Sequence, residues 1–278
     1  QRWGFTHMID IVIPTFKRLN SQITLSNIPE SLLENVTLVV QPQEESEANK
    51  IHQKIYVVSD DNIGFANTIK DITYEFAVNR KCNFWIMDDD LYFMENIPDG
   101  KKLKKEPLTD QSFHDMITET EKWLSEGLVH GAMGTTWNNP LGKYPFIENS
   151  RIMTNKFYNG DELSKIWNEI DWTGCCGAED FYVNLQLLTK GKPNKVWYKY
   201  VAAPSDTNTE GGCSEYRDVE YHNRSMKNLQ SKFPNFVVLK EKIQKSGPWK
   251  NKPKLSATIS WKKAYHSSQI NTLEGFME

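Results

Sequence analysis

Short apolar runs separated by polar segments dominate the first third of the chain. The runs at 9–14, 36–40, 55–59 and 84–87 have the length and the branched or aromatic composition of buried strands. Residues 65 to 78 instead show apolar positions at helical spacing. Strands that alternate with helices and loops predict an α/β fold with a mostly parallel central sheet flanked by helices. Ligands of such folds gather beyond the carboxyl ends of the strands.

The alternation loosens after residue 95. The pattern predicts a solvated loop at 101–106, further strands at 129–136 and 151–154, and helices at 110–128, 161–170, 178–190 and 219–233. The lysine-rich segment that follows is interrupted by Pro248 and Pro253, so we expect an irregular basic arm there. The predicted organisation is a main domain at 8–235, with halves at 8–95 and 96–235, and an arm at 236–278. Residues 1–7 are interpreted as a remnant of cloning.

Composition narrows the class of protein. With 278 residues, 38% of them hydrophobic, the chain can bury a sizeable core. Its net charge of -3 excludes a globally basic polymer binder, so a polyanion would have to meet a local basic patch. No apolar run approaches the roughly 18 residues that cross a bilayer, and no secretion signal pattern begins the chain, so we expect a cytoplasmic protein without a membrane partner. The four cysteines lack CxxC spacing, and we expect reduced thiols.

Three consecutive aspartates, Asp88, Asp89 and Asp90, stand between apolar runs. In an extended segment Asp88 and Asp90 face the same way and Asp89 faces the opposite way. Two such carboxylates about 4 Å apart repel by roughly 4 kcal/mol near a protein surface, so a cation should lie between them. Mg²⁺ or Mn²⁺ suits carboxylate oxygens and leaves positions for substrate phosphates. One alternative is a solvated acidic turn. Another is a phosphatase-like DxDxT nucleophile motif, but Tyr92 stands where that motif has a threonine.

The stretch NFWIMDDDLYF (83–93) resembles the DxD motif of GT-A fold nucleotide-sugar-dependent glycosyltransferases, where the motif ends a central strand. The resemblance covers roughly residues 9–225. It implies a Rossmann-type, GT-A-like fold and a nucleotide-sugar donor, with a UDP-sugar as the expected one. It also implies that Asp90 binds the metal on the donor diphosphate, while Asp88 shares the metal or the donor hydroxyls. Asp89 is a further donor-binding candidate.

Two other segments resemble the donor side of that family. IVIPTFKRL (11–19) looks like its first strand and loop, and VVSDDNIGFANTI (57–69) looks like the segment after its third strand. In the second segment the two acidic residues either cap a helix or accept hydrogen bonds from base and ribose, while the glycine permits close approach of the backbone. The donor-binding residues implied are Pro14, Thr15, Arg18, Asp60, Asp61 and Gly64.

DWTGCCGAEDFYVNLQLL (171–188) supplies the candidate acceptor side. Its helical spacing places Glu179 and Asp180 in the first turn of a buried helix, a position that acidic residues also favour for structural reasons. Similar family segments use such carboxylates on the acceptor hydroxyl and the tryptophan as a stacking wall. The resemblance therefore implies Asp180 as the general base, Glu179 as the reserve and Trp172 as the wall.

GGCSEYRDVEYHNRS (211–225) is similar to a loop that closes over the donor in some members of the family. That similarity implies that Arg217 reaches the donor diphosphate. It also implies that His222 is a ligand of the metal.

The acceptor is suggested by two lysine-rich segments, 101–105 and 240–263, the second with interleaved aromatics. These residue types contact phosphates and stack on bases, although a solvated surface is the plainer interpretation. The chain also has an overall similarity to phage enzymes that glycosylate hydroxymethylated pyrimidines in DNA. That similarity implies DNA as the acceptor, with an extruded base supported by Trp172 or Trp249 and with Lys250 beside it.

Other functions stay open at this point. One alternative is a glycosyltransferase that acts on a saccharide or protein hydroxyl in surface-glycan synthesis. Another is a metal-dependent sugar-binding module without catalysis. Sugar nucleotidyl transfer is disfavoured because no glycine-rich, arginine-containing phosphate loop follows the first strand.

Overall fold

The computed structural model describes residues 8–100, 102–136, 144–205, 212, 217–245, 247 and 249–274. Its strands are β1 (Asp10–Pro14), β2 (Val36–Val40), β3 (Ile55–Val57), β4 (Phe84–Met87), β5 (Leu91–Asp99), β6 (Lys102–Pro107), β7 (His130–Thr135), β8 (Phe146–Glu148), β9 (Asn155–Tyr158), β10 (Asn194–Pro204), β11 (Val237–Ile243) and β12 (Pro253–Ile259). Its α-helices are α1 (Ile23–Ser26), α2 (Glu45–Ile51), α3 (Phe65–Thr73), α4 (Asp110–Ser125), α5 (Gly160–Ile166), α6 (Glu179–Thr189), α7 (Val219–Lys232) and α8 (Trp261–Glu274).

Ten of the strands within these ranges form one mixed sheet, in the order β3-β2-β1-β4-β9-β7-β10-β5-β6, with β8 also paired to β10. The neighbours β3, β2, β1 and β4 are parallel to one another, and so are β7 and β10. Strand β9 runs antiparallel to both β4 and β7 and so joins the two parallel groups. The predicted α/β fold with a mostly parallel central sheet is confirmed.

Helices cover both faces of this sheet. Because successive strand residues point to opposite faces, β4 sends Trp85 and Met87 into the apolar layer under α4. Phe84 and Ile86 enter the layer that contains residues of α3, α5 and α6. Strand β2 is buried along its whole length. Burial on both faces of the sheet explains why its sequence is a nearly continuous apolar run.

Several element bounds differ from the predicted ones. The strands β2 and β4 have the predicted bounds, and α3 continues into a π-helical turn at Tyr74–Asn79. The strand predicted at 151–154 lies four residues later, as β9, and the sequence pattern missed β5 and β10. Residues 102–107 are not a loop, because β6 pairs antiparallel with β5.

The prediction of an irregular C-terminal arm is wrong. Strands β11 and β12 form an antiparallel hairpin, and α8 follows it. Proline is tolerated at the first residue of a strand, and Pro253 has that position in β12. Leu239, Leu255 and Ala257 of the hairpin pack against an apolar cluster that α6, α7 and α8 share. None of the helices in the described part of the chain combines the length and the apolar composition that a membrane crossing requires.

Candidate active site

Two buried strands end side by side at the candidate site. Since β1 and β4 are parallel neighbours, Thr15 and the aspartates follow them at the same edge of the sheet. The chain turns at Asp89 and Asp90 instead of continuing β4, so the predicted alternation of the three side chains is wrong. The turn is held by Thr24, whose hydroxyl donates to the carbonyl of Asp88 and accepts from the amide of Leu91 at 2.8 Å.

Asp89 is the buried anchor of this turn, with 5% of its surface exposed. Its Oδ2 accepts a hydrogen bond from Thr15 Oγ1 at 2.8 Å, and its Oδ1 accepts one from Arg18 Nη1 at 3.0 Å. The same Arg18 nitrogen lies 3.5 Å from Asp90 Oδ2, which also accepts from Ser205 Oγ at 3.2 Å. Burial raises the pKa of Asp89 and of Asp90, although Arg18 opposes the shift in both. Arg18 is therefore the local counter-charge of two aspartates.

Asp88 belongs to a second cluster, with Lys156 and Asp180. Lys156 stands opposite Ile86 in the pairing of β9 with β4, one residue from the end of β4. Its side chain is only 4% exposed, and its ammonium forms an ion pair with Asp180 in the first turn of α6. Burial and the charge of Asp180 raise the pKa of Asp88 well above its ordinary value. Burial lowers the pKa of Lys156, but Asp180, Tyr158 and Asp88 outweigh it and raise the pKa overall.

Neither Lys156 nor Ser205 is among the site residues predicted from the sequence. A lysine is almost never fully buried without a partner, so a lysine inside a buried strand signals a nearby carboxylate. That signal was hidden because the strand was predicted four residues too early. Ser205 follows β10, which was not predicted at all.

A cleft of about 220 Å³ lies beside the second cluster. Phe65 lines the cleft, and its ring centroid is 5.5 Å from the Lys156 ammonium. Glu179 Oε2 accepts a hydrogen bond from the Gly177 amide at 2.6 Å, and burial together with the neighbouring Asp180 raises the pKa of Glu179. The structure thus brings three predicted site residues into one cleft, which are Gly64, Glu179 and Arg217.

The metal-binding role predicted for His222 is wrong. The ring is 8% exposed, and its Nε2 lies 2.9 Å from the carbonyl oxygen of Leu255 in β12. Its Nδ1 lies 3.3 Å from Nη2 of Arg217. Protein partners therefore occupy both ring nitrogens, and His222 ties α7 to the C-terminal hairpin.

The stacking role predicted for Trp172 is also wrong. The side chain is 3% exposed and belongs to the apolar layer under the sheet. Its ring stacks on Trp167 with centroids 5.9 Å apart, and its Nε1 donates to the Trp167 carbonyl at 3.2 Å. Because the core covers the Trp172 ring, an acceptor cannot stack on it. Trp249, by contrast, lies half-buried next to the exposed Lys250 in the turn between β11 and β12.

The two acidic residues before α3 do not cap that helix. Its N-cap is Gly64, with φ of 78° and no side-chain cap. Asp60 and Asp61 are exposed, and Asp61 Oδ1 accepts from the Gln43 amide at 3.1 Å. Contact of these carboxylates with base and ribose stays a prediction. Of the segment predicted to close over the donor, 211–225, residues 211 and 213–216 lie outside the described residues, and its closure stays a prediction.

The described residues contain no group of three or more His, Cys, Asp and Glu side chains that could hold a metal ion. Asp88 and Asp90 remain as a candidate pair of metal ligands. The charge of Asp90 contributes to the raised pKa of Asp88. Within the same residues no hydrogen bond reaches the Asp88 carboxylate. Mg²⁺ is commonly bound through one or two carboxylates, with substrate phosphates and water as its other ligands. The residues present fit that mode of binding.

Comparison with known proteins places these features in a family. A family model described as TAGT, TET-Associated Glycosyltransferase, matches residues 9–213. The chain belongs to that family. This TET-associated glycosyltransferase is 29% identical over 243 residues to the "Beta-glucosyl-HMC-alpha-glucosyl-transferase" of Enterobacteria phage T6, an alignment that covers 82% of each chain. The protein of the same name from phage T2 gives the same identity and coverage. The predicted glycosyltransferase class and the similarity to phage enzymes are confirmed.

Two solved structures are also similar to this TET-associated glycosyltransferase. One is mannose-1-phosphate geranyltransferase from Thermus thermophilus, with a TM-score of 0.34, 13% identity, and coverage of 70% of this chain and 57% of that one. The other is UDP-glucose pyrophosphorylase in complex with UDP-glucose, with a TM-score of 0.38, 12% identity, and coverage of 82% and 99%.

Proposed function

We propose that this TET-associated glycosyltransferase moves a sugar from a UDP-sugar to a hydroxyl carried by hydroxymethylcytosine in DNA. The observation that carries the proposal is the 29% identity over 243 residues to the two phage enzymes. Their names specify a β-glucosyl-HMC acceptor and an α-glucosyl product. They favour a DNA-linked hydroxyl over the surface-glycan alternative. The hydroxyl is either that of the hydroxymethyl group or one on a sugar already attached to it.

The donor side of the proposal rests on the edge where β1 and β4 end. Asp88 and Asp90 would hold Mn²⁺ or Mg²⁺, and such an ion would offset the charge of the departing diphosphate. Arg18 is fixed at the same edge by its bonds to Asp89 and Asp90, which leaves a guanidinium in place beside the anionic donor. Gly64 allows the backbone to come close to a ligand in the cleft.

The acceptor side rests on the start of α6. Asp180 is the proposed contact of the acceptor hydroxyl, and Glu179, which lines the cleft, is the reserve. A carboxylate that deprotonates the attacking hydroxyl suits a reaction that inverts the anomeric centre. With an α-linked donor, an α product such as the relatives' names describe means retention. In that case Asp180 holds the hydroxyl by a hydrogen bond and does not serve as an in-line base.

A panel of donors and acceptors tests the proposal. The protein is incubated with Mn²⁺ and UDP-, GDP- and ADP-sugars, and with DNA that carries cytosine, hydroxymethylcytosine or glucosylated hydroxymethylcytosine. We expect nucleoside diphosphate release from a UDP-sugar with one or both modified DNAs, and a matching mass increase of the modified nucleoside. Release with free saccharides and not with modified DNA would support the surface-glycan alternative. An absence of release with every pair would support a binding module.

A further inference from the structure

The C-terminal hairpin separates its apolar and basic residues onto two faces. Residues opposite each other in an antiparallel pair share a face. The pairs of Val237 with Ile259 and of Leu239 with Ala257 pack against the core of the three C-terminal helices. The other face carries two successive pairs, Lys240 with Ser256 and Lys242 with Lys254.

This second face is a concentration of positive charge. Residues 237–259 contain six lysines and one glutamate, although the whole chain has a net charge of -3. Lys240 and Lys242 are exposed. Among the described residues no ion pair neutralises Lys240, Lys242 or Lys254, whereas exposed lysines elsewhere, such as Lys50 and Lys165, pair with glutamates. The hairpin therefore presents an uncompensated basic surface on an otherwise acidic protein.

Contacts connect this surface to the cleft. The Lys254 ammonium lies 5.0 Å from the ring centroid of Trp249, and that ring is 5.6 Å from the ring of His222. His222 contacts Arg217, which lines the cleft beside Glu179. Burial and the charge of Arg217 lower the pKa of Lys254, as expected where two cations lie close together and lack an anion.

We infer that the outer face of the hairpin, defined by Lys240, Lys242 and Lys254, binds the phosphodiester backbone of the acceptor DNA. The inference rests on the proposed function, which supplies DNA as the acceptor. Lysines bind phosphates through charge, and an aromatic ring beside them can stack on an exposed base. Trp249 stands between the lysines and the cleft, so the hairpin leads the DNA toward the residues at the start of α6. This surface lies beyond residues 9–213, the part that the family model matches.

A salt titration tests the inference. The dissociation constant for a 20-base-pair duplex that carries hydroxymethylcytosine is measured by fluorescence anisotropy between 50 and 300 mM NaCl. The test variant is Lys240→Gln/Lys242→Gln, and the matched control is Lys50→Gln/Lys122→Gln, which changes two exposed lysines on α2 and α4. Removing two phosphate contacts should weaken binding by about tenfold or more at 100 mM salt. It should also lower the slope of log Kd against log salt by about 2.

The control variant should keep the dissociation constant and slope of the unaltered protein. A melting temperature equal to that of the unaltered protein shows for each variant that folding is unchanged. If the hairpin variant binds the duplex with the same affinity and slope as the control, the inference is overturned. Sugar transfer by the unaltered protein to the modified DNAs of the donor and acceptor panel decides the proposed function separately. A failure there leaves the binding measurement to judge the hairpin on its own.

Discussion

The ammonium of Lys156 and the carboxylate of Asp180 form an ion pair that joins β9 to the first turn of α6. The Lys156 side chain is 4% exposed and that of Asp180 is 23% exposed, so water screens the pair only in part. Asp88 at the end of β4 also interacts with Lys156 and Asp180. One lysine thus balances the carboxylate assigned to the acceptor and a carboxylate assigned to the donor, and it holds the two halves of the site together.

Removal of this lysine should destabilise the fold. We expect Lys156→Met to lower the free energy of unfolding by about 3 to 5 kcal/mol, because it leaves two nearby carboxylates without a cation. Equilibrium urea unfolding measures the change. The double variant Lys156→Met/Asp180→Leu should recover most of the loss, since it removes one uncompensated charge. A loss below about 1 kcal/mol in the single variant would show that the pair does not hold the site together.

Substitution at the start of α6 separates the two carboxylates. Asp180→Asn should lower the rate of sugar transfer by about 10² to 10⁴ if the carboxylate acts as the base. Glu179→Gln should have a smaller effect, because its carboxylate is bound to the Gly177 amide. Release of nucleoside diphosphate gives the rates, and NMR of the product gives its anomeric configuration. An α product from an α-linked donor would contradict the role of Asp180 as base.

The two candidate stacking tryptophans should behave differently. Trp172→Ala should lower the free energy of unfolding by about 3 to 5 kcal/mol, because the ring is buried in the core. Trp249→Ala should change stability less and should raise the KM for modified DNA, because its ring lies beside the hairpin lysines. Urea unfolding and initial rates at several DNA concentrations measure both effects. An increase of KM confined to the Trp172 variant would reverse this assignment.

His130 should make stability depend on pH. The ring is buried, its Nε2 lies 3.1 Å from Asn184 Oδ1, and burial lowers its pKa to about 4 from an ordinary value of 6.5. Between these values the unfolded chain binds more protons than the folded one, so stability falls as the pH falls. The contribution is complete above pH 6.5, declines by roughly 1.4 kcal/mol per pH unit, and has lost about 3 kcal/mol near pH 4.

Urea unfolding at pH 7, 5.5 and 4 measures this decline, with His130→Gln as the control. Glutamine can keep a hydrogen bond to Asn184 but does not titrate. As the pH falls, the free energy of unfolding of the unaltered protein should therefore decrease relative to that of the variant. A difference that is constant over the three pH values would mean that His130 does not titrate differently in the folded and unfolded chains.

Part of the fold and site could be read from the sequence because the physics there is local. The strands β2 and β4 are continuous apolar runs, and the acidic residues at the start of α6 precede apolar residues at helical spacing. Hydrophobic pattern alone sets these elements. The carboxylates at the end of β4 and at the start of α6 could also be predicted as site candidates, since charged side chains next to buried runs are conspicuous; their roles stay predictions.

The rest depends on contacts between distant segments. The turn at Asp89 follows from hydrogen bonds to Thr15 and Arg18, more than 70 positions earlier in the chain. The C-terminal segment becomes a hairpin because its alternate apolar residues find a partner surface on α6 to α8, which local composition does not show. Trp172 is buried by the same kind of long-range packing. From the sequence alone, a tryptophan beside glycines looks the same whether it lies in the core or lines a binding site.

The aspartates after β4 are proposed to hold a metal on the donor diphosphate. Crystals grown with Mn²⁺ and UDP test this directly when diffraction is measured at the manganese absorption edge. We predict an anomalous peak within about 2.5 Å of a carboxylate oxygen of Asp88 or Asp90 and of the UDP phosphates. The peak should be absent from crystals of Asp88→Asn/Asp90→Asn grown in the same way. Bound UDP without a manganese peak at these two aspartates would mean that they do not hold a metal on the donor.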